Sequence, residues 1–219
     1  TLVLPKRAEA PLAAAVSAGL PTLALRCPAH PVMRALLAEC GLPLAAPSAN
    51  RSGGVSPTSA AHVAASLGSG AGLILDGGSC AQGIESTIVA LREGGGWQVL
   101  RPGPVTEAQI SAVLGTEPDA VTPGCGIEAP GQLTSHYAPG KPMRLGVRVA
   151  NAGEFHLGFG AVAGDFNLSA SGDLAEAAAR LYAGLHKASA SKAPRIAVAP
   201  IPDAGIGSAI NDRLRRAAA

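Results

Sequence analysis

The feature that most restricts the fold is a break in texture. Across residues 115–142 the chain loses hydrophobic periodicity and fills with Pro, Gly, Thr and Ser. A connection of roughly twenty-five residues is unusual inside one domain. The break therefore predicts two domains, 1–115 and 143–219, joined by a linker at 116–142. On its N-terminal side, short apolar runs at 1–4, 22–26, 42–46 and 72–76 read as strands. Helical patterns cover 9–19, 28–40, 58–67 and 105–114. Two further β runs, 86–91 and 97–100, flank Gly94-Gly95-Gly96 as a hairpin. The hairpin signals argue for a mixed α/β sheet and against a purely parallel one. Beyond the break, 144–149, 154–159, 161–166 and 195–199 read as strands. Residues 173–189 and 207–218 read as helices, the first carrying Leu174, Ala178, Leu181 and Leu185 on one face, with Ser171 or Gly172 near its N-cap.

Composition sets limits on function. Hydrophobic residues make up 47% and charged residues 15%, so a core can form, and with only 3% aromatics it must be built from Ala, Val, Leu and Ile. A net charge of +2 with scattered Lys and Arg gives no basic patch of the kind that grips nucleic acid. Arg213, Arg215 and Arg216 fall on the last helix, where they complement its dipole. Cys27, Cys40, Cys80 and Cys125 are widely spaced without a C-x-x-C pair, which argues against zinc and a disulfide framework and fits a reducing cytosol. No uninterrupted apolar run reaches membrane-spanning length.

The stretch that most resembles a binding site is Pro47-Ser48-Ala49-Asn50-Arg51-Ser52-Gly53-Gly54-Val55-Ser56-Pro57-Thr58, placed between an apolar run and a helix. In open α/β sheets, ligands bind at the carboxyl ends of strands. Hydroxyls, free N–H groups and a helix N-terminus suit an anion such as phosphate. Ser, Asn, Gly and Pro also furnish ordinary turns, so these residues alone fit a connector as well as an anion site. Arg26 ends an apolar strand ahead of Pro28 and a helix, where it would either hold a carboxylate in bidentate fashion or sit solvated. The Glu85-Ser86-Thr87 triplet offers a second polar rim or an edge of polar strand residues, and no His close in sequence activates Ser86 or Thr87 as a nucleophile.

Five segments together resemble the YrdC/Sua5 family of threonylcarbamoyl-adenylate synthases, which act in tRNA modification. They are Thr22-Leu23-Ala24-Leu25-Arg26-Cys27-Pro28-Ala29-His30, the Ser48-Ala49-Asn50 loop, Ser86-Thr87-Ile88-Val89, Arg101-Pro102-Gly103, and Pro130-Gly131-Gln132-Leu133-Thr134-Ser135-His136-Tyr137-Ala138-Pro139. The last, with the C-terminal helix, resembles the longer, two-domain Sua5 type. The resemblance implies a YrdC-like mixed twisted sheet with helices and a small C-terminal Rossmann-like α/β domain. It implies an ATP side formed by Thr22, Ser48, Asn50, Ser56, Arg101 and Tyr137. The threonine side would be Arg26, with its carboxylate contact, Ala46 and Ser86. His30 matches as well, with a capping role equally open. No residue is assigned as nucleophile or base.

The implied reaction joins L-threonine, bicarbonate and ATP into threonylcarbamoyl-AMP and pyrophosphate, with Mg²⁺ accompanying ATP. Its product would pass to a downstream tRNA-modifying transferase complex in the cytoplasm, with at most weak RNA binding and no membrane. The linker is expected to fold back as a lid, with Tyr137 at the nucleotide end. Family members carry a Lys-x-Arg pair ahead of the point where this sequence starts, and Lys6-Arg7 does not match it. Either the sequence is a fragment, or the protein is shortened and much phosphate charge goes unneutralised. Two alternatives remain: a non-catalytic RNA-binding or translation-associated module, which the near-neutral charge and scarcity of aromatics oppose, and a carbamoyl-transfer enzyme of related fold acting on another amine.

Overall fold

A computed structural model describes residues 1–92, 94–120 and 136–219. The chain forms two compact units. The first comprises Thr1–Pro47, Ser86–Arg101 and Val105–Gln132; the second comprises Ser48–Glu85, Pro102–Pro104 and Leu133–Ala219.

The first unit carries a mixed sheet of β1 (Leu2–Pro5), β2 (Thr22–Leu25), β3 (Ile88–Leu91) and β4 (Trp97–Arg101), in the order β2-β1-β3-β4. β1 is antiparallel to β2 and parallel to β3, and β3–β4 is the expected antiparallel hairpin. Its core joins Val3, Ile88 and Ala90, with Leu100 against them. Trp97 is buried and donates its indole N–H to the Thr116 carbonyl and hydroxyl. Two helices, α1 (Pro31–Cys40) and α3 (Glu107–Leu114), bury no residue. A capping box between Thr106 and Gln109 starts α3 after the hairpin. Gly41 ends α1 in the left-handed conformation, as its position past the last apolar residue predicts.

The second unit holds α2 (Ala60–Leu67) and a parallel sheet of β5 (Met143–Arg144), β6 (Glu154–Gly158), β7 (Phe166–Asn167) and β8 (Arg195–Val198), in the order β5-β8-β6-β7. α4 (Leu174–Ala190) and α5 (Ile206–Ala218) complete it. Ala178, Leu181, Tyr182 and Leu185 of α4 are fully buried against Leu157, Ile196, Ile210 and Leu214. The mixed α/β architecture implied by the sequence is present, with one mixed and one parallel sheet.

Several elements differ from expectation, among them the run 144–149, where only Met143–Arg144 is strand, and the run 161–166, where the strand is Phe166–Asn167. Residues 9–19 form only the 3₁₀ turn Ala14–Ser17, because Pro11 removes a helical donor and Ala18 and Gly19 are left-handed. The runs 42–46 and 72–76 are not strands. Pro43 interrupts the first, and Leu73 in the second is 84% exposed: an apolar run becomes a strand only beside a hydrogen-bonding neighbour. The N-cap of α4 is Asp173, which accepts from the Glu176 N–H, with Ser171 and Gly172 just ahead of it. Among the described residues, no helix is long and apolar enough to cross a membrane.

Candidate active site

In the first unit, strand register decides which polar groups meet. β2 runs antiparallel to β1, so Leu25 lies beside Leu2, and Leu2 lies beside Val89. Arg26, just past β2, and Ser86, just before β3, therefore fall at the same end of the sheet. Arg101 joins them, because it closes β4 opposite Ile88. Its guanidinium donates from Nε and Nη2 to the Ser86 carbonyl at 3.1 and 2.9 Å. Arg101 is 9% exposed, while Arg26 is exposed. The Thr87 hydroxyl donates to the Val105 carbonyl and accepts the Val105 N–H, tying the Ser86 segment down. Thr22 starts β2 beside Pro5, at the sheet end opposite Arg26 and roughly 13 Å away along the strand. Ala46 lies in an exposed, irregular stretch.

In the second unit the 47–58 loop is braced from within and from the far end of the linker. Asn50 donates its amide N–H groups to the carbonyls of Arg51 and Gly54, and its Oδ1 is buried without a partner. Gly53 takes the left-handed conformation that the turn requires. The Ala138 N–H donates to the Gly53 carbonyl, and Ala138 bridges Gly54 in parallel. Arg51 is tied to α2: its Nε donates to the Ser66 carbonyl near the end of that helix. Ser59 caps α2 by accepting the His62 N–H. Ser48 is exposed, whereas Ser56 is 7% exposed.

Tyr137 is buried at 1%, against the Tyr182 ring and with Arg213 over its face. Its φ of 66° is the left-handed region, which a bulky residue occupies at a cost of about 1–3 kcal/mol. The flanking bonds hold it there: His136 N–H to the Arg216 carbonyl and Ala138 N–H to Gly53. The body of the expected lid, residues 121–135, lies outside the described residues.

Two arrangements escaped the sequence reading. First, the Glu85 carboxylate accepts from the Ser56 hydroxyl at 2.6 Å, the Tyr182 hydroxyl at 2.8 and 3.0 Å, and Arg213 Nε at 3.1 Å. Burial and the nearby carboxylate push the Tyr182 phenol far above its ordinary range, so it stays a donor. For Arg213, burial opposes the charge, but Glu85, Tyr182 and Tyr137 offset it and the net shift is upward. Second, His62 and His186 stack with ring centroids 3.8 Å apart. Thr58 N–H donates to His62 Nδ1, and His186 Nε2 donates to the Ser56 carbonyl. Burial lowers both imidazoles, and for His62 the charge of His186 adds to it. The buried stripe of α5, Ala209, Ile210, Arg213, Leu214 and Ala217, was the available signal for the first. A helix-dipole role places Arg213 on the surface, but its spacing places it in the core.

Comparisons place this architecture. Residues 1–103 match the Sua5/YciO/YrdC family, described as "Telomere recombination", and residues 105–219 match the family "Threonylcarbamoyl-AMP synthase, C-terminal domain". The threonylcarbamoyl-AMP synthase of Bacillus subtilis (strain 168) is 38% identical over 242 residues, spanning all of this chain and 69% of that protein. The threonylcarbamoyl-AMP synthase of Pyrococcus abyssi (strain GE5 / Orsay) is 41% identical over 145 residues, 64% of this chain and 41% of that protein. The crystal structure of P. abyssi Sua5 complexed with L-threonine superposes with a TM-score of 0.85 at 30% identity, covering 99% of this chain and 69% of that one. The chain belongs to the two-domain Sua5 family.

Proposed function

We propose that the chain is an L-threonylcarbamoyladenylate synthase, forming threonylcarbamoyl-AMP and pyrophosphate from L-threonine, bicarbonate and ATP. The relatives' name and the L-threonine complex of the P. abyssi neighbour support this reading. The observation that carries it is the contact of Arg101 with Ser86, residues assigned to the nucleotide and the amino acid respectively. In the proposed reaction the threonine amine attacks bicarbonate, water leaves to give a carbamate, and one carbamate oxygen attacks the α-phosphate, with pyrophosphate leaving. Such a step needs little from a side-chain nucleophile. It needs two substrates held in line and charge stabilised by fixed donors.

Arg26 would pair with the threonine carboxylate and Ser86 would border the same substrate. Arg101, Ser48, Asn50 and Ser56 would bind ATP, the unpartnered Asn50 Oδ1 accepting from it. Thr22, Ala46 and Tyr137 complete the proposed contacts. Mg²⁺ would enter with ATP. Among the described residues no group of three or more His, Cys, Asp or Glu is gathered to hold an ion, so phosphate oxygens and water would be its ligands. The setting would be the cytoplasm, with the product passed to a tRNA-modifying transferase complex.

The test is ATP–pyrophosphate exchange. It should require both L-threonine and bicarbonate. Exchange supported equally by other amino acids would favour another carbamoyl acceptor, and a salt-dependent RNA shift without turnover would favour an RNA-binding module.

A further inference from the structure

The Ser56 hydroxyl has one proton, and it is spent. Glu85 Oε1 lies 2.6 Å away, and a carboxylate facing Arg213 can only accept. Ser56 is therefore left with lone pairs alone to offer a ligand. A phosphate oxygen is also an acceptor and cannot bond to it. The nucleoside part of ATP, with its amino and ribose hydroxyl groups, can.

Glu85 is fixed from the other side. Tyr182 donates from α4 and Arg213 from α5, and Arg213 is itself anchored by Nη1 to Asp212 at 3.0 Å. Gly83 makes the approach feasible: it has a φ of 68°, and a Cβ there would collide with the α4 backbone at Ala178 and Ala179. The cluster is poorly explained as a stability device. Arg213 is fully buried with Nη2 unpartnered, and apolar replacements of buried ion pairs are commonly neutral or stabilising.

We propose that Glu85 is a positioning residue: held by Tyr182 and Arg213, it accepts the hydrogen bond of the Ser56 hydroxyl and so turns that oxygen's lone pairs toward the nucleoside of ATP as an acceptor. The proposal rests on the assignment of Ser56 to the ATP side. It gives the C-terminal helices a defined task in nucleotide recognition.

The experiment measures binding of ATP, inorganic tripolyphosphate and L-threonine to the wild type, Ser56→Ala, Glu85→Ala, Glu85→Gln, Tyr182→Phe and the Ser56→Ala/Glu85→Ala double variant, with thermal unfolding of each. Ser56→Ala and Glu85→Ala should each weaken ATP about tenfold. Glu85→Gln, which retains an acceptor oxygen, should recover part of the loss, and Tyr182→Phe should weaken ATP about threefold. Tripolyphosphate and threonine affinity should not change. The double variant should bind ATP no more weakly than either single one, because both remove the same contact. If Glu85→Ala unfolds the protein, Tyr182→Phe carries the test. Additive losses, equal losses for tripolyphosphate, or unchanged ATP affinity in a folded Tyr182→Phe would overturn the proposal. A wild type that binds no ATP would overturn the functional reading itself, and this idea with it.

Discussion

The two units solve the problem of holding polar side chains in opposite ways. In the second, long apolar side chains from two helices and a parallel sheet pack into a contiguous core, and the polar cluster around Glu85 is set into that core. In the first, the buried cluster is small, two helices bury nothing, and Leu25, Val32 and Val113 are exposed. There the candidate substrate groups are held by hydrogen bonds, Arg101 to Ser86 and Thr87 to Val105. Truncating the apolar core of the second unit should therefore be read mainly as stability, and changing Arg26, Ser86 or Arg101 in the first mainly as binding.

The strongest way to break that contrast is to truncate one apolar side chain in each unit. Leu181→Ala should cost about 2–5 kcal/mol in chemical denaturation, since Leu181 is fully buried. Leu36→Ala on α1, only half-buried, should cost less than about 1 kcal/mol. Equal losses would mean that the first unit has packing support as strong as the second. The next effect is on binding. Asn50→Ala removes both a loop brace and the proposed acceptor, and should weaken ATP by roughly tenfold to a hundredfold; unchanged affinity would remove the loop from the site. Arg26→Lys keeps the charge but loses the bidentate fork, so threonine should bind about tenfold more weakly while ATP is spared. A defect in ATP binding alone would reverse that assignment.

The smallest effect is a pH dependence confined to the second unit. His62 and His186 both have folded pKa values below the unfolded value of 6.5. Between the folded and unfolded values the unfolded chain binds more protons, so stability rises with pH through that window. It should be complete above pH 6.5 and fall as the solution is acidified below it. His186→Gln should flatten this part of a melting-temperature profile. If the slope persists unchanged, the stacked pair is not its source.

Much of this organisation could be read from residue order. The hairpin at Gly94-Gly95-Gly96, the cap at Gly41 and the α4 stripe follow from turn chemistry and periodicity, and all are present. The failures are physical as well. The runs 42–46 and 72–76 have strand composition, but pairing is decided by a neighbour that no local pattern specifies. The meeting of Arg101 with Ser86 depends on register, and the Ser56–Glu85–Arg213 chain joins residues up to 128 positions apart. Sequence spacing reports one face of one element; these contacts are made across several.

One consequence of the unit composition concerns how the chain can be divided. The two family matches abut between residues 103 and 105, yet the second unit draws Ser48–Glu85 from the earlier half. Val55 and Ile84 contribute to the core that α4 and α5 build. A cut at that seam would leave the later fragment with an exposed apolar scar, and Arg213 with a buried charge and no carboxylate from Glu85. The later half is thus a poor candidate for exchange as a cassette between proteins, because its interior is completed by the segment Ser48–Glu85, which is encoded before the seam.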